Sequence, residues 1–158
     1  MAQLYLDCDG VLADFVSYTK EHVFDGLKPP EWELIHGTER FWDVIGEHER
    51  LYYKLPLMTD AMVLYNAVKH LDPIILTGCH NGDFGRADKE DWVLEKFGAH
   101  QRIITCESKD KAIYCKPGDV IVDDYPKHRS VWEAAGGIWI HHDNARDSII
   151  ELKKIGIL

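Results

Sequence analysis

The sequence predicts an α/β protein: a three-layer, Rossmann-like parallel sheet with a small, mostly helical cap inserted after the first strand. Three observations carry this. Short apolar runs rich in β-branched residues recur along the chain, each bounded by Gly, Asp, Asn or Pro, which is the signature of strands. Segments of helical period separate most of these runs, as in βαβ units. The runs also fail to alternate cleanly with polar residues, as expected where a parallel sheet is covered on both faces and its strands are fully buried.

The elements follow in order. Residues 4–6 (LYL) form the first strand, and the acid-rich stretch DCDGVLADF (7–15) begins immediately after it. Residues 16–59 contain no convincing parallel strand. They hold Pro29-Pro30, several glycines and, with Phe15, nearly half of the 17 aromatic residues, so they read as the helical cap. Asp60 is positioned to N-cap a helix over 61–71, with Met62, Leu64, Tyr65 and Val68 as its core positions. PIILT (73–77) is the second strand, and a helix over 87–97 closed by Gly98 follows it. RIIT (102–105), VIV (120–122) and IWIH (138–141) are the remaining strands. Helices over 126–135, with Pro in the first turn, and over 148–155 complete the pattern. The division expected is a catalytic core of residues 1–15 and 60–158 and a cap of residues 16–59.

A chain of 158 residues is close to one typical domain. Its formal net charge of −9 argues against duplex nucleic acid or an anionic membrane as main partner, because both call for basic patches. A small anionic substrate stays open, since a bound cation or a local lysine outweighs the global field. No run of about 18 apolar residues occurs, and Asp7 comes too early for a signal peptide. Cys8, Cys79, Cys106 and Cys115 form no C-x-x-C pair. They read as reduced thiols, buried or incidental, of a cytoplasmic protein, with Cys8 as apolar filler between two acids.

In an open α/β sheet, ligands bind outside the carboxyl ends of the strands. The residues there are, in order, Asp7 and Asp9; Thr77-Gly78; Ser108-Lys109-Asp110-Lys111; Asp123-Asp124; and His141-His142. Four of these five ends suit a phosphate and a hard metal ion. Mg2+ takes one or two carboxylates, waters and substrate phosphate, and clustered acids repel one another unless a cation sits between them. A carboxylate can attack phosphorus, while a second acid protonates the leaving oxygen and later deprotonates water. Thr77 offers a hydroxyl, the Gly78 region offers N–H donors, and Lys111 or Lys109 offers a balancing charge. Adjacent His141 and His142 point to opposite faces of a strand and do not form a joint metal site. His80 is a looser candidate for the pocket wall, and His128-Arg129 reads as an exposed helix face.

DCDGVLADF, IILTG, SKDK and VIVDD together resemble the four ordered motifs of the haloacid dehalogenase-like (HAD) phosphatase superfamily over most of the chain. FWD (41–43), DWVLEKFG (91–98) and the KDK and DVIVDD stretches narrow the resemblance to the 5′(3′)-deoxyribonucleotidase family. The resemblance implies Asp7 as nucleophile, Asp9 as general acid and base, and Lys111 as the third-motif lysine. It implies Mg2+ on the Asp7 carboxylate, the Asp9 backbone carbonyl and the Asp123 carboxylate, with Asp124 close by or reaching the metal through water. Thr77 and Gly78 would hold phosphate, with Lys89 as the second choice for a phosphate contact, and Phe15, Phe41 and Trp42 would face sugar and base. Two departures touch recognition. Gly78 stands where those nucleotidases tend to carry serine, and Tyr125-Pro126 stands where Arg-Pro is more familiar.

The expected activity is Mg2+-dependent hydrolysis of a small phosphomonoester through an aspartyl-phosphate, with a nucleoside monophosphate as the leading substrate. Within the same fold the rival is a phosphatase acting on a sugar phosphate or another small metabolite. From another class it is a receiver-like module that accepts phosphate on an aspartate. Receivers, however, carry adjacent acids after the first strand and a lone acid later, the reverse of the order here.

Overall fold

The computed structural model describes residues 1–158. Five strands form one parallel sheet: β1 (Leu4–Leu6), β2 (Ile74–Gly78), β3 (Arg102–Cys106), β4 (Val120–Asp123) and β5 (Ile138–His141). Their order is β3-β2-β1-β4-β5. The chain therefore builds outward from β1 through β2 and β3, then returns to build β4 and β5 on the other side. The order reverses at the carboxyl end of β1, beside β4, and that is where a crevice opens in such sheets. The register sets Leu6 opposite both Ile75 and Val122, so Asp7 and Asp123 leave neighbouring strands at the same level.

Successive side chains take opposite faces. Leu4, Leu6, Ile75, Val120, Val122 and Ile140 enter a cluster of 28 buried residues on one face. Helices α4 (Ala61–Val68), α5 (Arg86–Phe97) and α7 (Ala145–Lys154) cover that face through Leu64, Trp92 and Leu152. Tyr5, Ile74, Leu76, Ile121 and Trp139 face the other side, under Trp132 of α6 (Arg129–Ala134) and the 3-10 segment Ser108–Tyr114. These are the three layers the sequence predicts. The edge strands are less buried than a uniformly covered sheet would make them. β3 is only partly buried, and both ends of β5 are exposed, because each has a neighbour on one side alone.

Residues between β1 and α4 hold α1 (Phe15–His22), α2 (Pro29–His36), α3 (Thr38–Glu47) and a 3-10 turn, Tyr52–Lys54. Asp14 caps α1 by accepting from the Ser17 amide at 3.1 Å. Pro29 and Pro30 open α2, where a missing N–H costs nothing. Phe24 packs between Trp32 and Phe41, with ring centroids at 5.2 and 5.1 Å. These rings join the same 28-residue cluster as the sheet. The chain leaves and re-enters the sheet side by side: the Asp14 amide donates to Pro56 O and the Met58 amide to Leu12 O, both at 2.8 Å.

Several boundaries differ from the sequence reading. The helix expected over 61–71 is α-helical only to Val68, then tightens to a 3-10 turn that ends at Asp72 in a left-handed conformation. Met62 is exposed and Ala61 is buried in its place. This helix is apolar nearly all round, so its pattern did not single out one buried stripe. Asp60 does not cap it; its Oδ2 instead accepts from the Ala145 amide at 2.7 Å. That bond and the Asn144 side-chain cap start α7 three residues before the expected Ser148. The expected helix over 126–135 divides into a 3-10 turn at Pro126–His128 followed by α6. No helix is long and apolar enough to cross a membrane.

Candidate active site

The carboxyl ends of β1, β2 and β4, the start of the 3-10 segment after β3, and the inserted helices enclose a cavity of about 600 Å3. Asp7, Asp9, Thr77, Gly78, Lys89, Lys111, Asp123 and Asp124 all line it, as do Phe15, Phe41 and Trp42. Asp7 and Asp123, 116 positions apart in sequence, are thus brought together by the register of β1 and β4.

The floor holds two charge networks. In the first, Lys111 Nζ donates to Asp7 Oδ1 and Asp123 Oδ2, both at 2.9 Å. All three side chains are at least nine-tenths buried. Asp7 Oδ1 also accepts from the Cys8 amide at 2.9 Å, and the Tyr125 amide holds Asp123 Oδ1 at 2.9 Å. Asp7, Asp123 and Asp124 each offer a carboxylate oxygen, and these lie within 4.8 Å of one another. Gly10 permits the approach of Asp124: it sits at φ +84°, and a β-carbon there would lie 1.9 Å from Asp124 Oδ2.

One ammonium cannot balance three carboxylates. Burial raises the Asp7 carboxyl, but Lys111 outweighs that and holds it below its ordinary value. Burial and then the charge of Asp7 push Asp123 up to about 7 and Asp124 up to about 8. Burial would lower Lys111, but Asp7 and Asp123 overcome it and raise the lysine. The surplus negative charge, carried on hard oxygen donors, fits a divalent cation such as Mg2+.

In the second network, Lys89 of α5 is buried and spends its three N–H donors inside the protein. They reach Asp9 Oδ2 and Thr77 Oγ1 at 3.1 Å and Gly78 O at 2.7 Å. Its ammonium also stands 4.7 Å from the Tyr52 ring centroid. Burial opposes its charge, but Asp9 leads the groups that raise it. Lys109 also lines the cavity, but it is exposed and pairs with Glu107 at 3.2 Å, so Lys111 is the lysine of this segment that bonds to the acids. Cys8 lies buried between the acids, its thiol pushed up by burial and then by Asp9, as an inert filler should be.

The roof comes from the inserted helices. Phe41 is largely taken up in their apolar cluster, while Phe15 stacks on Tyr52 at 5.9 Å and Trp42 stacks on His80 at 3.9 Å with planes 8° apart. Every cavity residue from this region is apolar, aromatic or acidic: Phe15, Val16, Pro29, Pro30, Glu33, Phe41, Trp42 and Tyr52. Glu33 and Tyr52 were not singled out from the sequence, which shows only a charged helix position and one aromatic among many. His128, read as exposed, lines the cavity, while its neighbour Arg129 pairs outward with Glu133. His141 and His142 do diverge: His142 is buried against Ser148 Oγ at 2.7 Å, and the half-exposed His141 faces Asp143.

The five-stranded parallel sheet, its flanking helices and the insertion after β1 form a fold shared with solved structures of HAD-superfamily hydrolases. Solved structures with this fold include a HAD-superfamily hydrolase from Ehrlichia chaffeensis, 15% identical over 98% of each chain with a TM-score of 0.57. L-2-haloacid dehalogenase from Xanthobacter autotrophicus is 13% identical, with 89% of this chain and 77% of that one covered and a TM-score of 0.56. A HAD hydrolase, family IA, variant 3, from Entamoeba histolytica is 16% identical, with 99% and 90% covered and a TM-score of 0.51. No protein-family model matches the chain, and no curated protein matches its sequence.

Proposed function

We propose that this protein is a Mg2+-dependent phosphomonoester hydrolase that works through an aspartyl-phosphate on Asp7, with a nucleoside monophosphate as substrate, as in a 5′(3′)-deoxyribonucleotidase. The observation that carries this is the cluster of Asp7 and Asp123, buried and bonded to Lys111, with the half-buried Asp124 beside them. Displacing halide from carbon calls for a nucleophile and an anion pocket. It gives no reason to gather three carboxylates at the surplus charge of a divalent cation. Phosphoryl transfer does, because negative charge must be stabilised on nucleophile, phosphoryl oxygens and leaving group together.

Asp7 is held for attack by the Cys8 amide and Lys111 on one oxygen. A bond forms from its carboxylate to phosphorus and the bond to the leaving oxygen breaks. Asp9 supplies the proton to that oxygen, then takes one from water, which attacks the aspartyl-phosphate and releases inorganic phosphate and free Asp7. For the first proton transfer Asp9 has to turn away from Lys89, its partner at 3.1 Å. Thr77 Oγ1 accepts from Lys89 and so keeps its own hydrogen for a phosphoryl oxygen. Mg2+ would sit on the Asp7 and Asp123 carboxylates and the Asp9 backbone carbonyl, with Asp124 beside it, and would neutralise charge during transfer.

The leaving-group side supports a substrate with one phosphate and an otherwise uncharged, planar body. Aromatic rings and prolines face it, and no cation from the inserted helices awaits a second anionic group. A base stacking on the Trp42 face now covered by His80 displaces that ring.

The test is inorganic phosphate release, with Mg2+, across 5′- and 3′-nucleotides, sugar phosphates and a bisphosphate, beside Asp7→Asn and a chelator. Turnover centred on deoxynucleotides and lost in both controls supports the full reading. Turnover on sugar phosphates alone keeps the mechanism and removes the nucleotide. Stable phosphorylation of Asp7 without turnover would point to the receiver-like alternative.

A further inference from the structure

β2 and β3 stay paired to their ends: Gly78 is opposite Cys106, and the Cys79 amide donates to Cys106 O at 2.6 Å. The chain then turns at Glu107 into a 3-10 segment, and this turn lays Ser108 across Gly78. A β-carbon on residue 78 would lie 2.0 Å from Ser108 Oγ, 3.1 Å from its Cβ and 3.3 Å from its Cα. Rotating the hydroxyl relieves only the first of these. The Gly78 backbone is not in the left-handed region, so its conformation does not demand glycine. The demand is for space, and Ser108 fills that space.

Ser108 is exposed on the cavity wall, next to Thr77-Gly78. The fixed donors nearby are few. Lys89 gives all three N–H groups to Asp9, Thr77 and Gly78 O, and Lys111 gives two of its three to Asp7 and Asp123. A phosphoryl group presents three anionic oxygens, and each is best met by a fixed donor. We infer that Ser108 is a substrate-binding residue whose hydroxyl donates to a phosphoryl oxygen beside Thr77, from the place that a side chain at position 78 would occupy. The glycine at 78 is then not a lost hydroxyl. It is the clearance that lets the hydroxyl arrive from position 108. This rests on the phosphohydrolase reading above.

The test measures turnover of the best phosphomonoester from the panel and competitive inhibition by inorganic phosphate. Ser108→Ala, an exposed change that leaves folding intact, weakens phosphate binding and lowers kcat/KM about ten-fold or more, the scale of one hydrogen bond to a charged group. Gly78→Ser forces Ser108 aside and loses at least as much. Gly78→Ser with Ser108→Gly restores a hydroxyl without the clash and regains most of the binding. Ser108→Ala with unchanged phosphate inhibition overturns the inference while wild-type turnover keeps the hydrolase reading. A folded double variant as weak as Gly78→Ser alone also overturns it. Wild type that neither binds phosphate nor releases it overturns the hydrolase reading instead, and this inference with it.

Discussion

Replacing Lys111 by methionine keeps most of the side chain's length and removes the ammonium that faces Asp7 and Asp123 at 2.9 Å each. Removing one partner of a buried ion pair costs about 3–5 kcal/mol, because a charge is left uncompensated. A domain of this size loses about 2–4 °C in Tm per kcal/mol, so thermal unfolding in chelator at pH 8 should fall by about 6–20 °C. The pH dependence identifies the cause. With Lys111 present, Asp7 ionises below its ordinary value, which contributes stability above that range, while Asp123 and Asp124 protonate at about 7 and about 8. In Lys111→Met the Asp7 and Asp123 carboxyls, which Lys111 lowers, both rise. The folded state then binds more protons than the unfolded chain, and the loss is largest at pH 8 and above and shrinks by pH 5. Calorimetry or circular dichroism melts at pH 5 and 8, with turnover assayed in parallel, measure this. Equal loss at both pH values would mean that Lys111 matters by packing alone, and no loss would refute the charge argument outright.

Two further outcomes follow from the same acids. Mg2+ should raise Tm more at pH 8.5 than at pH 6: Asp123 and Asp124, raised to about 7 and about 8, make the metal-free fold less stable as pH climbs through that window, and only their ionised forms bind a cation. Melts with and without Mg2+ read this, and an Asp123→Asn variant with an undiminished Mg2+ increment would contradict it. Gly10→Ala should cost about 1–2 kcal/mol for a side chain at φ +84° and, by displacing Asp124, weaken Mg2+ binding in titration calorimetry. Unchanged Mg2+ affinity would remove Asp124 from the site.

Much of the fold was legible because five apolar runs end in turn formers and the chemistry stands directly after them. Asp7, Thr77 and Asp123 needed only that rule, which left Lys109 and Lys111 open; the bonds of Lys111 to Asp7 and Asp123 separate the two. What was hidden depends on partners far away in sequence. Asp60 resembled a cap for α4 because the local pattern allows one, but its carboxylate reaches α7. Glu33 belongs to the cavity because α2 lines it opposite the strand ends, which nothing in its neighbours encodes. Lys89 stood out only by resemblance, and its saturation by Asp9, Thr77 and Gly78 is visible only once α5 is laid beside β2. Gly78 read as a missing hydroxyl until Ser108 was found against it.

The aromatic cluster of the inserted helices is continuous with the apolar face of the sheet, from Phe24 and Phe41 through Leu51 and Leu55 to Leu6 and Trp92. The Trp92 indole even donates to Leu55 O at 2.7 Å across that junction. A core shared in this way predicts that the inserted helices and the sheet unfold together, in a single step, under heat or denaturant. An excised sheet domain would be left with raw apolar surface where the roof had been.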